Sequence, residues 1–248
     1  MENRIEFKAI TKYFPGVKAL DNISFTANGG EVLAFVGENG AGKSTLLKIL
    51  NGDYEQTSGE YLVNGKQVHY TNPKEAIADG VTVIYQERQV MLQLTVAENI
   101  FLGRLPVGFL GKVKVDEINK KAQDIIDEFG LNIKSTDKVK DLSTAYQQMV
   151  EIMKAYSREN IKMIAFDEPT ASLSEEETES LFKIIRKLRD EGKVVIYVSH
   201  RMAEIRQIAD KVAIFKDGKF IGEYKVEDIS DKEIIAKMVG RDLGDIFS

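Results

Sequence analysis

Eight consecutive residues, Gly37-Glu38-Asn39-Gly40-Ala41-Gly42-Lys43-Ser44, fit the pattern G-x-x-x-x-G-K-[ST]. Each residue type there has a chemical reason. Glycines let the backbone curl so that its N–H groups face a phosphate chain, and a following helix N-terminus adds positive potential. Lys43 can reach the β- and γ-phosphates of a nucleoside triphosphate, and the hydroxyl of Ser44 can ligate Mg²⁺. Thr45 continues the same set. A second constellation lies far along the chain, where the apolar run Ile164-Ala165-Phe166 ends in adjacent carboxylates, Asp167 and Glu168. Asp167 is placed to enter the Mg²⁺ shell, and Glu168 to accept a proton from, or orient, an attacking water. The bland readings are a glycine-rich turn beside a surface lysine, and a strand ending in helix-capping acids.

These groups need elements to hold them. Val32 to Val36 precedes the glycine loop and the apolar-patterned run Thr45 to Leu50 follows it, with Gly52 as a stop, which predicts strand, loop, helix. Upstream, Ile5 to Ile10 and Asn22 to Ala27 alternate with the turn signals Pro15-Gly16 and Asn28-Gly29-Gly30; together with Val32 to Val36 they read as an antiparallel β-layer. Asn64-Gly65 predicts a hairpin. Asn72-Pro73 opens a short helix toward Gly80, and the strand Val81 to Tyr85 stops at Gln86. From Arg88 to about Asn160 helix signals dominate, among them Thr95 with Glu98 as a capping box and the amphipathic stretch Asp116 to Phe129 closed by Gly130. The β/α rhythm returns with Lys162 to Phe166, a helix Glu175 to Glu191 capped by Ser174 and Glu177, and Val194 to Val198. Asp217-Gly218 predicts a hairpin, and Ser230 with Glu233 opens a last helix toward Gly240.

Composition narrows the classes. The 248 residues are 43% hydrophobic and 29% charged with a net charge of −5, an ordinary globular balance and a poor one for binding nucleic acid by bulk positive charge. With no cysteine there is no disulfide or thiolate metal site. The opening MENRIEFKAI lacks a signal-peptide layout, so a reducing, cytosolic setting is expected. No apolar run approaches the ~20 residues of a spanning helix, so any membrane role is peripheral.

Taken in order, the motifs resemble the ATP-binding-cassette (ABC) ATPases over nearly the whole chain. The resemblance implies an α/β P-loop NTPase fold with a mainly parallel sheet core, an antiparallel β subdomain and an inserted α-helical subdomain. The expected division is residues 1–87 and 161–248 for the core and 88–160 for the insertion, within one domain spanning 1–248. It implies that Gln86 contacts Mg²⁺ and the attacking water, and that His200 hydrogen-bonds the γ-phosphate; taken alone, each would read as an ordinary surface or structural residue. Phe14 matches the aromatic on which adenine stacks, with Tyr13 beside it; either could be a core aromatic. Leu142-Ser143-Thr144-Ala145-Tyr146 stands in place of the family's usual Leu-Ser-Gly-Gly-Gln. Ser143 can still donate to a phosphate of ATP bound to a facing cassette, but the added Cβ atoms restrict the backbone. The plain alternative is a helix start with Thr144 and Gln147 as its capping box. Ala171-Ser172-Leu173-Ser174 stands where the family's D-loop carries an aspartate, here Ser174.

Phe14-Pro15-Gly16-Val17-Lys18-Ala19-Leu20, Gln147 to Ile152 and Asp167-Glu168-Pro169-Thr170-Ala171-Ser172-Leu173 are most similar to bacterial monosaccharide importer ATPases of the ribose, galactose and xylose type. Those carry two cassettes in tandem, and this chain ends soon after Met238-Val239-Gly240-Arg241, so it reads as an N-terminal half. The resemblance implies ATP and Mg²⁺ as cofactors and a second cassette and transmembrane permease subunits as partners. A periplasmic or extracellular sugar-binding protein would act indirectly, no nucleic acid is expected, and the site of action is the inner face of the cell membrane. The alternatives are a soluble ABC ATPase acting on ribosomes or DNA, and a nucleotide-binding module that regulates without hydrolysing.

Overall fold

A computed structural model describes residues 3–87, 89–106 and 114–240. Arg88 and Arg241, named above as the start of the helical stretch and the end of a family-like segment, lie outside the described residues. The chain divides into two compact units, one of Met1–Val83, Asn160–Glu168 and Ile185–Ser248, the other of Ile84–Glu159 and Pro169–Ile184.

The first unit is built on two sheets. The strands β1 (Arg4–Phe14), β2 (Val17–Asn28), β4 (Ser58–Val63) and β5 (Lys66–Gln67) form an antiparallel sheet in the order β2-β1-β4-β5. Asn64 and Gly65, both at positive φ, make the β4–β5 turn as predicted. The second sheet runs β10-β9-β3-β8-β7-β6, with β3 (Val32–Val36), β6 (Val81–Ile84), β7 (Met163–Asp167), β8 (Val194–Val198), β9 (Lys211–Lys216) and β10 (Lys219–Lys225). Here β3 pairs in parallel with β8 and β9, and β7 in parallel with β8, while β10 returns antiparallel to β9 through Asp217-Gly218.

One expectation is corrected by this topology. Val32–Val36 does not belong to the antiparallel layer; it lies between β8 and β9. The physical reason is in its burial, for all five side chains are at most 3% exposed. An unbroken apolar run suits a strand covered on both faces, as parallel strands are, whereas a half-solvated antiparallel strand alternates. Aromatic edges join the sheets, with Phe25 of β2 5.4 Å from Phe35 of β3, which stands 4.9 Å from Phe215 of β9. Such pairs add about 0.5–1.5 kcal/mol each beyond their burial.

Helices α1 (Lys43–Leu50), α2 (Pro73–Ala78), α7 (Met202–Ile208) and α8 (Asp231–Val239) belong to the first unit. Asn72 caps α2 and Ser230 with Glu233 forms the capping box of α8, as predicted. The seven-residue α7 was not predicted; it is too short for its periodicity to register.

The second unit carries α3 (Val96–Ile100), α4 (Val115–Glu128) and α5 (Thr144–Tyr156). Thr95 and Glu98 form the expected capping box on α3. Helix α6 (Glu175–Asp190) starts behind Ser174, whose N–H donates to Glu177 while its hydroxyl accepts from the Glu177 N–H. On α5 the cap is Ser143, not Thr144: Ser143 Oγ accepts from Tyr146 N–H at 3.2 Å, and Gln147 donates its side-chain amide to the carbonyls of Val139 and Leu142. Ser143 holds extended backbone while Thr144 is already helical, so the cap falls one residue earlier.

Candidate nucleotide site

Parallel strands release their chain at one edge, and ligands of open α/β sheets lie outside that edge. β8 stands between β3 and β7, with Phe35 and Asp167 both in register with Val198. The loop after Val36, the pair Asp167-Glu168 and the turn after Val198 that carries His200 therefore leave the sheet side by side. Residues separated by more than a hundred positions in sequence are brought together by strand pairing alone.

The loop itself is shaped for close approach. Gly40 and Gly42 sit at φ +85° and +106°, conformations that side-chain-bearing residues rarely adopt. At Gly37 a Cβ would meet the Phe215 carbonyl oxygen at 2.6 Å, so this position is closed from behind by β9. Glu38, Asn39 and Gly40 are exposed, whereas Ala41 is 3% exposed and anchors the loop in the core. α1 has no side-chain cap, in contrast to α2, α3, α5 and α8, and no acidic residue in its first turn, in contrast to α2, α3 and α8. Its first N–H groups are left for an outside acceptor, the arrangement that receives a phosphate.

Lys43 folds back across the loop, its ammonium donating to the carbonyl of Gly37 at 2.5 Å and of Glu38 at 3.1 Å. Burial pushes the Lys43 pKa down, opposed by the charges of Glu168 and Asp167. The same field acts on Asp167, whose carboxyl is pushed up by burial and then by the neighbouring Glu168, with Lys43 pulling the other way. One cation and two carboxylates thus share a partly dehydrated spot. Ser44, the next residue on α1, is exposed, and Thr45 is half-buried behind it.

Glu168 follows the strand at φ +48°, a left-handed conformation uncommon outside glycine, and its N–H donates to Val198 O at 2.9 Å. This turn sends Glu168 out of the strand's alternation and toward β8. There His200 Nδ1 stands 3.1 Å from Glu168 Oε2, a distance at which an imidazole N–H donates to a carboxylate. The His200 side chain is 70% exposed and that of Glu168 27%, so the pair has a dry side and a wet side.

At the end of β1, Phe14 is half-buried, meets Tyr54 edge to face at 5.2 Å and has the Lys12 ammonium 5.0 Å from its ring. Tyr13 is 51% exposed. Neither Tyr54 nor Lys12 was singled out from sequence; Tyr54 is distant along the chain, whereas Lys12, two residues before Phe14 in β1, offered a local signal that was not used. Gln86 and Ser143 belong to the second unit, where both are exposed; Gln86 follows β6 by two residues and Ser143 caps α5.

Comparison with known proteins follows the same lines. A family model described as ABC transporter matches residues 20–171. The chain is 50% identical over 244 residues to an arabinose import ATP-binding protein of Mannheimia succiniciproducens, covering 98% of this chain and 48% of the relative. It is 47% identical over 245 residues to the protein of that name from Vibrio parahaemolyticus, again covering 98% and 48%. The chain spans about half the length of the curated relatives it matches. Among solved structures it resembles a nucleotide-free ATP-binding cassette from an ABC transporter (TM-score 0.79, 25% identity, 99% of both chains). It also resembles a dimeric cassette in a post-hydrolysis state bound to ADP and Pi (TM-score 0.77, 27% identity, 90% of this chain and 98% of that one).

Proposed function

We propose, from the premise that this chain belongs to the ABC transporter family, that it binds and hydrolyses ATP to energise the import of a monosaccharide across a membrane. The observation that carries the reading is the meeting, at one sheet edge, of an uncapped helix behind a glycine loop with the Glu168–His200 pair at 3.1 Å. The names of the relatives, arabinose import ATP-binding proteins, supply the substrate class and the direction.

In this reading the backbone N–H groups from Gly37 to Thr45 and the Lys43 ammonium hold the phosphates, Lys43 exchanging its bonds to the Gly37 and Glu38 carbonyls for phosphate oxygens. Phe14 stacks the adenine. Mg²⁺ is usually held through one or two carboxylates, with phosphate and water completing most of its shell. Ser44 Oγ and Asp167 would hold the ion, and the resemblance assigns Gln86 to it by its place in the family's motif order. Bound there, Mg²⁺ would neutralise charge on the β- and γ-phosphates. Glu168 orients the attacking water and takes its proton, and His200 donates to the γ-phosphate while its other nitrogen is held by Glu168.

Ser143 acts on the nucleotide of a facing cassette. Its oxygen is engaged by Tyr146 N–H, and the hydroxyl keeps its proton for a phosphate oxygen. Two cassettes closing on two nucleotides, and opening after hydrolysis, would transmit the motion to permease subunits, with a sugar-binding protein acting indirectly. No helix among the described residues is long and apolar enough to cross a membrane. As an ATP-consuming partner of permease subunits, the chain would work from the cytoplasmic face as a peripheral subunit. The deciding experiment measures ATP binding and turnover of the wild type, Lys43→Ala and Glu168→Gln over a range of protein concentrations. The reading stands if Lys43→Ala loses binding, Glu168→Gln binds without turnover, and wild-type turnover per chain rises with concentration; a wild type that binds ATP and never hydrolyses it, even with a second cassette supplied, overturns it.

A further inference from the structure

We infer that Glu204 is a positioning residue for His200, holding the β8–α7 turn so that the imidazole meets Glu168; this rests on the proposed hydrolytic role of that pair. His200 lies in the stretch 199–201 between Val198, the last residue of β8, and Met202, the first of α7. Its side chain is 70% exposed, so packing around the ring does little to fix its direction, and the backbone beneath it must do so. That backbone is tied from both sides to one buried carboxylate.

Glu204 is 8% exposed and sits in the first turn of α7, a helix whose N-cap, Arg201, makes no side-chain cap. Its Oε2 accepts from the Tyr197 hydroxyl at 2.8 Å and from the Ser199 hydroxyl at 3.0 Å, and its Oε1 accepts from the Arg201 guanidinium at 3.1 Å. Ser199 Oγ in turn accepts from the Arg201 N–H at 3.0 Å. Tyr197 and Ser199 precede His200 and Arg201 follows it, so the carboxylate fastens the chain before and after the histidine. Tyr197 is fully buried and Ser199 is 5% exposed, and hydrogen bonds in such surroundings resist exchange with water. Ionised carboxylate is the one side chain that can accept all of these donors without contributing a donor of its own.

A glutamine at 204 has nearly the same shape but presents an NH₂ group to donors on one side. The turn must then shift, and the imidazole with it. The full chain contains two histidines, His69 and His200, so a histidine-selective NMR spectrum reports each ring separately, with His200→Ala giving the assignment. In Glu204→Gln the His200 Cε1–H resonance is expected to move by more than its linewidth while that of His69 stays in place. In the same variant kcat should fall by about tenfold or more with the KM for ATP within about twofold, because the donation from His200 to the γ-phosphate strengthens as charge develops in the transition state. Tyr197→Phe, which removes one donor and leaves the carboxylate, should give the same changes in smaller degree, and it carries the test if Glu204→Gln does not fold. An unmoved His200 resonance, or a moved one with unchanged kcat, overturns the inference. A wild-type chain that does not turn over ATP overturns the hydrolytic reading instead, and the resonance still decides whether Glu204 places the ring.

Discussion

Gly218, at the tip of the β9–β10 hairpin, donates its N–H to the carbonyl of Ala41 in the glycine loop at 3.0 Å, while its own carbonyl accepts from Asp21 N–H at 2.8 Å. A turn remote in sequence thus ties the loop to the antiparallel sheet. Gly218 stands at φ +73°, and a Cβ there would meet the Ala19 carbonyl oxygen at 2.5 Å and its carbon at 3.0 Å. Gly218→Ala is therefore expected to destabilise by more than the ~1 kcal/mol that a compatible Gly→Ala change would gain, and to weaken ATP binding by loosening Ala41. Thermal unfolding with and without ATP checks both. If affinity is unchanged in a variant of lowered Tm, the hairpin supports the fold and not the loop.

Asp167 gives a prediction whose sign follows from its shift. Burial, then the charge of Glu168, raise its folded pKa above the usual 3.8. The folded state therefore holds the proton more tightly than the unfolded chain does. Its contribution is fully present below the unfolded value and is lost as pH rises through the folded one. Near neutral pH the ionised Asp167 is a liability in the nucleotide-free chain. Asp167→Asn should raise Tm at pH 7, with the advantage shrinking as pH falls toward the ordinary aspartate value, and should abolish the extra stabilisation that Mg²⁺ gives to ATP. A Tm equal to or below that of the wild type at pH 7 would mean that the carboxylate is compensated within the chain.

The contrast between what was legible and what was not follows from distance along the chain. The loop from Gly37 to Ser44 could be read because its chemistry is local, and the capping boxes at Thr95, Ser174 and Ser230 because each spans four residues. His200 could be picked out only through the motif order of a family, and its contact with Glu168 was not foreseen, since parallel pairing of β7 with β8 creates it and no spacing encodes that pairing. Val32–Val36 was assigned to the wrong sheet for the same reason: a short apolar run says strand, and the partner is settled by what covers its two faces. Ser143 and Thr144 are both competent caps, and the backbone angle that chooses between them is not a property of either residue type. Glu204 gave no signal at all, because a glutamate in an ordinary amphipathic pattern reads as a surface charge until its partners are seen.

Lys43 and Glu168 separate binding from chemistry. Lys43→Ala removes the ammonium that now bridges the Gly37 and Glu38 carbonyls; a charged hydrogen bond of about 1.5–3 kcal/mol lost from phosphate contact corresponds to at least about a tenfold loss of ATP affinity. Glu168→Gln keeps the shape and removes the base. Its kcat should fall by about 10²–10⁴-fold with affinity retained. Equilibrium binding by fluorescence and single-turnover hydrolysis distinguish the two. Comparable losses of affinity in both variants would place Glu168 among the phosphate-binding groups.

Ser143 has two duties that substitution can pull apart. As the cap of α5 it accepts from Tyr146 N–H, so Ser143→Ala should cost about 0.5–2 kcal/mol. In a chain of this size that is a loss of roughly 2–4 °C in Tm for each 1 kcal/mol. As donor to a nucleotide on a facing cassette it should also be needed for the concentration-dependent part of turnover. Ser143→Asp restores the cap, since a carboxylate accepts from the same N–H, but it offers a negative charge where a phosphate must come. Ser143→Thr keeps both the acceptor and the proton. Alanine should therefore lose stability and turnover, aspartate should recover stability alone, and threonine should recover both. An aspartate variant whose turnover rises with concentration as the wild type's does would remove Ser143 from the phosphate contact and leave it a helix cap, with the altered residues Thr144, Ala145 and Tyr146 then free of any constraint from a facing nucleotide.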